Sequence, residues 1–271
     1  MSTEWLASEC TTVALCWRIE RRDGVAIGLT THDRDLAIEG MVYRAAPGIT
    51  PSAIVRGDGL EPDSMEVAGA LSHDAIGEAD LLAGRCDGGR VALFAIDWTD
   101  TTRQVSLGGG TIGAIEMGEG GYSAELRGAS ASLDAPVVEL TSPECRAELG
   151  DSRCRVAMAG RRRFARVSGC EGNVLTLDAA EPVAGAYGGG TLRWFGGANC
   201  ALEDMIDSSA GATVTLRQAP RMAVAPGALV EVIEGCDKRL ETCVVRFGNA
   251  ANFRGEPFLP GIDLLTRYPG G

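Results

Sequence analysis

Four cysteines stand in two pairs in this chain of 271 residues. Cys145 and Cys154 lie in PECRAELGDSRCRV with eight residues between them, and Cys236 and Cys243 lie in EGCDKRLETCVVRF with six. Thiolate is a strong ligand for zinc and for iron–sulfur clusters. Two pairs brought together could therefore complete a four-thiolate site. Both gaps are wider than those usual in zinc sites. A wider gap suits a bulkier cluster, whose corners lie further apart than the ligands of one ion. Spacing alone leaves two readings open: a metal of some kind, or four unconnected buried thiols, since free cysteine is among the most buried residue types. The other five, Cys10, Cys16, Cys86, Cys170 and Cys200, read as core or loop thiols.

A second group, TTHDRD at 30–35, offers His32, Asp33 and Asp35 as acid–base groups or ligands of a hydrolase metal. The chain has only two histidines, and His73 has no clear partner motif. A turn rich in Thr, Asp and His usually serves capping and Asx hydrogen bonds. GEGGYSAEL and GGGTIG lack the strand and helix that a phosphate or dinucleotide loop requires, and no nucleophile elbow is present.

The totals are those of an ordinary globular chain, 45% hydrophobic and 23% charged. The net charge of -12 opposes nucleic acid and anionic membranes at long range. The run Arg161, Arg162, Arg163 has no interleaved aromatics and reads as a solvated strand edge or a partner contact. Lys238 is the single lysine, which reads as coding bias. Glu4 precedes the first short apolar patch and no basic n-region is seen. The expectation is a soluble chain made in a reducing cytoplasm, where nine cysteines are not a disulfide framework.

The elements that must position these residues read mainly as β strands with a few short helices. Trp5, Leu6, Cys10, Val13 and Ala14 are spaced as one helical face within 4–20, although VALCWRIE also reads as a strand. Asp23-Gly24 predicts a hairpin turn, and Glu39-Gly40 a second one between LAI and MVYRA. A helix is expected at 74–83 with Asp74 as its cap. VALFAIDWTD at 91–100 is the clearest strand. Turns around short strands are expected from Asp100 to Gly113 and from Gly118 to Tyr122. Residues 158–233 read as a small β barrel or sandwich inserted between the two cysteine pairs. The expected organisation is a β-rich domain at 1–136, a first cysteine segment at 137–157, the inserted β domain at 158–233, and a C-terminal arm at 234–271.

The stretch GCDKRLETCVVRFGNAANFRGEPFLPG, together with GLTTHDRDLAIEGMVYRA and the cysteines at 145 and 154, resembles the tail-hub proteins of alphaproteobacterial gene transfer agents and related long-tailed phages. The likeness to the tail-tip protein of lambda-like phages is more distant. The resemblance spans nearly the whole chain and is weak through 158–233. It implies a structural role rather than an enzyme. The expected form is a ring, a homotrimer, joining the distal tail protein ring to a central baseplate or fibre protein, with a tail-associated peptidase as a further partner. It implies a four-iron–four-sulfur cluster on Cys145, Cys154, Cys236 and Cys243, with zinc as second choice. It places the chain in a virion or gene-transfer-agent tail assembled in the bacterial cytoplasm, without membrane or sequence-specific nucleic acid. Arg246, Phe247, Asn249, Asn252, Phe253 and Arg254 flank the site, where Asn and Arg could donate to sulfur. Two other readings stand beside this one: a cell-wall hydrolase using His32 and Asp33, and a zinc-stabilised adaptor.

Overall fold

The computed structural model describes residues 4–7, 11–46, 50–51, 64–70, 76–118, 121–128 and 138–259. Cys10, His73 and Asp74 lie outside them. The chain divides into two compact units, Met1–Pro136 and Val137–Gly271.

The first unit is built on strands β1 Val13–Glu20, β2 Ala26–Thr30, β3 Leu36–Ile38, β4 Met41–Ala45, β5 Thr50–Pro51, β6 Ser64–Ala70, β7 Arg90–Asp97, β8 Asp100–Gly118 and β9 Gly121–Arg127, with one short helix, α1 Glu78–Leu82. They form one sheet in the order β3-β4-β2-β1-β7-β8-β9-β6-β5. Strand β1 is central, paired antiparallel to β2 on one edge and to β7 along its whole length on the other. Successive side chains of a strand point to opposite faces, and β1 buries both. Ala14 and Cys16 pack with Leu36, Ile38, Tyr43 and Ile96, while Trp17 and Ile19 pack with Leu29, Leu81, Val91 and Leu93.

This two-edged pairing explains a correction. Among the described residues of 4–20 the expected helical face is not seen. Glu4–Ala7 makes a short 3-10 turn, and Val13 and Ala14 already belong to β1. The ladder to two neighbours outweighs a modest helical pattern. The helix expected at 74–83 is confined to Glu78–Leu82, with Gly77 at its N-cap and no side-chain cap bond. The turns expected from Asp100 to Gly113 are absent too, because those residues lie in the 19-residue strand β8. Strand β8 pairs with β7 through its first part and with β9 beyond Thr111, with register shifts in both ladders. The glycines of GGGTIG serve that exchange of partner. A Cβ on Gly109 would stand 2.4 Å from the Val91 carbonyl oxygen, and one on Gly110 2.3 Å from that of Arg127.

The second unit is a closed barrel of β10 Arg162–Glu171, β11 Val174–Leu177, β12 Thr191–Trp194, β13 Glu203–Ala210, β14 Thr213–Leu216 and β15 Leu229–Ile233, in the order β10-β11-β14-β13-β12-β15. Alternate residues fill it: Leu175, Leu192, Trp194, Ile206, Val214, Leu216, Val230 and Val232 are all essentially inaccessible. Register shifts in the β10–β11 and β13–β14 ladders bend strands as barrel closure requires. Closure also sets beginning against end. Arg162 pairs with Ile233 across the β10–β15 ladder, and Glu234 N–H continues it to the Arg161 carbonyl at 3.0 Å. The segments entering and leaving the barrel therefore share one end of it. The leaving segment carries a second helix, α2 Leu240–Val245, and a 3-10 turn, Ala250–Asn252.

Candidate metal centre

The four paired cysteines lie on these two segments. Cys145 and Cys154 precede the barrel, Cys236 follows it, and Cys243 sits on α2 as its buried residue. Backbone bonds join the segments directly. Cys145 N–H donates to the Lys238 carbonyl at 2.8 Å, Arg146 N–H to that of Arg254 at 3.0 Å, and Glu256 N–H to that of Ser142 at 2.7 Å. Arg146 clamps the Glu256 carboxylate with two bonds of 2.6 and 2.8 Å, which holds that carboxyl down at about 2. Asp151 fixes the turn before Cys154 by accepting from the backbone N–H groups of Arg153 at 2.9 Å and Cys154 at 2.6 Å.

The second anchor is a buried carboxylate. Glu234 accepts from Arg161 at 2.6 Å and from Arg246 at 2.8 Å. Arg246 also donates to the carbonyls of Gly235 and Ala186 at 3.2 and 3.0 Å. The ring of Phe247 lies 5.0 Å from the Arg161 guanidinium and 4.8 Å from that of Arg246. The arginine run is thus divided. Arg161 anchors the arm, while Arg162 and Arg163 are exposed on β10.

Around the sulfurs, N–H groups converge. Lys238 N–H donates to Cys236 Sγ at 3.4 Å, Arg254 N–H to Cys145 Sγ at 3.4 Å, and Asn249 Nδ2 to Cys154 Sγ at 3.7 Å. Cys243 Sγ in turn donates to the Asn249 carbonyl at 3.4 Å. Burial pushes the Cys243 thiol up, and charge on Cys236, Cys145 and Cys154 pushes it the same way. Burial likewise raises Cys236, with Cys145 adding to the rise and Lys238 opposing it. Four thiols on segments bonded to one another, with N–H donors aimed at three of the sulfurs, suit a cationic group of thiolate-loving metal chemically. As placed, no three His, Cys, Asp or Glu side chains among the described residues are set to hold a metal ion.

Lys238 was passed over as coding bias; its standing as the sole lysine was the available signal. Its ammonium bonds the Ala147 carbonyl at 2.6 Å and Glu148 at 2.9 Å, and its backbone is left-handed at φ 63. A groove of about 760 Å³ runs beside it, lined by Cys236, Lys238, Glu148, Asp207, Glu241 and Arg246 among others. Cys16 and Cys86 are buried in the sheet unit, and Cys170 and Cys200 are exposed. None of the eight described cysteines forms a disulfide.

The group TTHDRD forms a turn after β2. His32 Nδ1 accepts from Arg34 N–H at 3.0 Å, its ring lies 5.1 Å from Trp98, and Asp33 points into solvent. Asp35 accepts from Ala45 N–H at 2.9 Å. These are the bonds of a turn, and Asp33 Oδ1 lies 3.2 Å from the same His32 nitrogen.

Residues 2–157 match the family model described as "Baseplate hub protein, N-terminal attachment domain". The chain belongs to the baseplate hub family. Residues 185–263 match a second model, "Phage conserved hypothetical protein BR0599", so each cysteine pair falls within a matched region. Among solved structures, the chain is similar to one from the "Virion of native gene transfer agent (GTA) particle", with TM-score 0.85 and 35% identity, covering 98% of this chain and 94% of that one. No curated protein matches it.

Proposed function

We propose that this chain is a hub subunit whose C-terminal arm is pinned by a metal group held on Cys145, Cys154, Cys236 and Cys243. It is a structural component of a tail baseplate, located in the tail of a virion or gene-transfer-agent particle. Among the described residues no helix is long and apolar enough to cross a membrane. The resemblance to tail hubs supports the finer reading of a homotrimeric ring between the distal tail ring and a central baseplate or fibre protein, with no catalytic task.

The hydrogen bonds that tie the segments of all four cysteines together at one end of the barrel carry the cofactor reading. Zinc requires sulfurs at about 2.3 Å from one point and commonly uses tighter gaps along the chain. The wide spacing of both pairs and the resemblance to tail hubs favour a larger group with separate corners, and a four-iron–four-sulfur cluster is the first choice. When bound, such a group links segments distant in the chain, which the free chain would otherwise order at an entropic cost. The residues do the rest. Arg146 and Glu256 join the segment at 142–146 to that at 254–256, Glu234 fixes the arm to the barrel, and N–H groups of Lys238, Asn249 and Arg254 meet the sulfurs.

Anaerobically purified protein should absorb broadly at about 400 nm and carry about four irons per chain. Colourless protein with one zinc would move the assignment to a zinc staple. Colourless metal-free protein would remove the metal and leave the hub assignment intact. The ring is tested separately by the copy number at the distal tail in images of the assembled particle.

A further inference from the structure

We infer that Lys238 is the positioning residue that joins the two halves of the split thiol site, acting through its ammonium as well as its backbone. The inference deepens the metal-centre reading and rests on it only for the metal readouts below.

Three contacts of one residue carry it. The Lys238 N–H meets Cys236 Sγ at 3.4 Å, from the segment after the barrel. The Lys238 carbonyl accepts from Cys145 N–H at 2.8 Å, from the segment before it. The ammonium reaches past Cys145 to the Ala147 carbonyl at 2.6 Å and Glu148 at 2.9 Å. Lys238 therefore holds residues 145–148 of the first cysteine segment against the second.

The residue type fits this task. The left-handed backbone at φ 63 is rare for a residue with a side chain, and glycine would adopt it more readily. A lysine there gains something its side chain supplies. The compact ammonium donates to a carbonyl and a carboxylate from a single nitrogen. Ala147 is buried, so its carbonyl would otherwise need another donor. A site of four thiolates would carry excess negative charge, and the cation of a residue whose N–H meets Cys236 Sγ favours the loaded form.

The test compares wild type with Lys238→Met, Lys238→Arg and Lys238→Gly. The glycine variant removes the ammonium while relieving the left-handed backbone, so any loss it shows is not strain. In metal-free reduced protein, a thiol reagent should modify Cys145 and Cys236 about tenfold faster in the Met and Gly variants, as expected for loss of an outer partner. Cys170 and Cys200 should keep their rates and report an intact barrel. In anaerobically loaded protein, a strong iron chelator should strip the Met and Gly variants about tenfold faster or more. The midpoint potential, where a redox wave is seen, should move negative in both and stay near wild type in Lys238→Arg, which keeps the charge. Unchanged thiol rates in Met and Gly would overturn the inference whether or not the wild type holds metal. Metal-free wild type with accelerated thiol rates would keep the joint and discard the cluster. Equal chelator rates in all four loaded proteins would also overturn it.

Discussion

Asn249 donates its side-chain amide to the Cys154 carbonyl at 2.6 Å, a residue 95 positions away, and its Nδ2 lies 3.7 Å from the Cys154 sulfur. Its backbone N–H bonds the Cys243 carbonyl at 2.9 Å, and its own carbonyl accepts from the Cys243 thiol at 3.4 Å. One asparagine therefore touches the second cysteine of each pair. Asn252 Nδ2 donates to its Oδ1 at 2.7 Å, which fixes the amide with its NH2 toward Cys154. Replacing Asn249 by Ala should speed chelator release of the bound metal about 10- to 100-fold, the range for an outer partner of a metal ligand. Asn252→Ala should have a smaller effect in the same direction, since it only loosens the amide. Release rates of the two variants that match wild type would show that the amide is a turn cap without influence on the site.

Gly235 gives a sharper test of how closely the segment carrying Cys236 is seated. A Cβ there would lie 2.1 Å from Gly190 N and 2.2 Å from the Gly188 carbonyl oxygen. These are backbone atoms, so the neighbours cannot swing aside. Gly235→Ala should therefore shift Cys236 and lower the metal content of purified protein below half. The barrel's folded spectrum should stay, since the clash falls at its rim. Full metal content in this variant would mean that Cys236 is not a required ligand.

Much of this fold was legible because alternation is local. VALCWRIE, TLRW and TVTL each bury every second residue or nearly so, and the mainly β architecture follows from such segments. Strand β13 escaped the reading because EDMIDSSA shows only Ile206 fully buried, among polar neighbours held by pairing on both edges. Helix α2 escaped because six residues carry too little period to read. The long strand β8 was taken for turns because its glycines were read as breakers, whereas they admit close backbone approach from β7 and β9. At the site, spacing singles out the four cysteines. The partners that hold their segments, Glu234, Arg161, Glu256 and Lys238, act across the barrel closure. No spacing along the chain encodes that.

The Glu234 anchor should matter for stability independently of any metal. Its carboxylate is buried and meets two partly covered guanidiniums. Removing one member of a buried ionic group leaves its partners uncompensated. Because Arg161 and Arg246 retain some solvent contact, Glu234→Ala should cost about 2–3 kcal/mol, below the full range for a deeply buried pair. Hydrogen exchange of the β10 and β15 amides under increasing urea measures it. An effect under about 0.5 kcal/mol, the level of an ordinary surface substitution, would show that the Phe247 stack and the Arg246 bonds to carbonyls suffice without the carboxylate.

The Arg146–Glu256 clamp sets the acid limit of the arm. Glu256 is lowered from 4.5 to about 2, first by its bonds to Arg146 and then by the Ser142 N–H. A carboxyl whose folded value lies below its unfolded one adds stability that is fully present above the unfolded value and is lost as pH falls through the folded one. The contribution should therefore be intact above about pH 5, decline between about 4.5 and 2, and be absent below. Asp97, held at about 2 by Thr99 and Thr12, follows the same course in the other unit. The two are separable by location, because hydrogen exchange resolves 142–146 and 254–256 from 90–103. Glu256→Gln should flatten the pH dependence in the arm segments and leave that at 90–103 unchanged, while Asp97→Asn should do the reverse. The Glu256→Gln arm should also be looser than wild type at neutral pH, since the amide keeps one acceptor oxygen but no charge for Arg146. An arm whose exchange in wild type is the same at pH 3 and pH 6, after correction for intrinsic rates, would mean that the backbone bonds of Cys145, Arg146 and Glu256 hold it without the clamp.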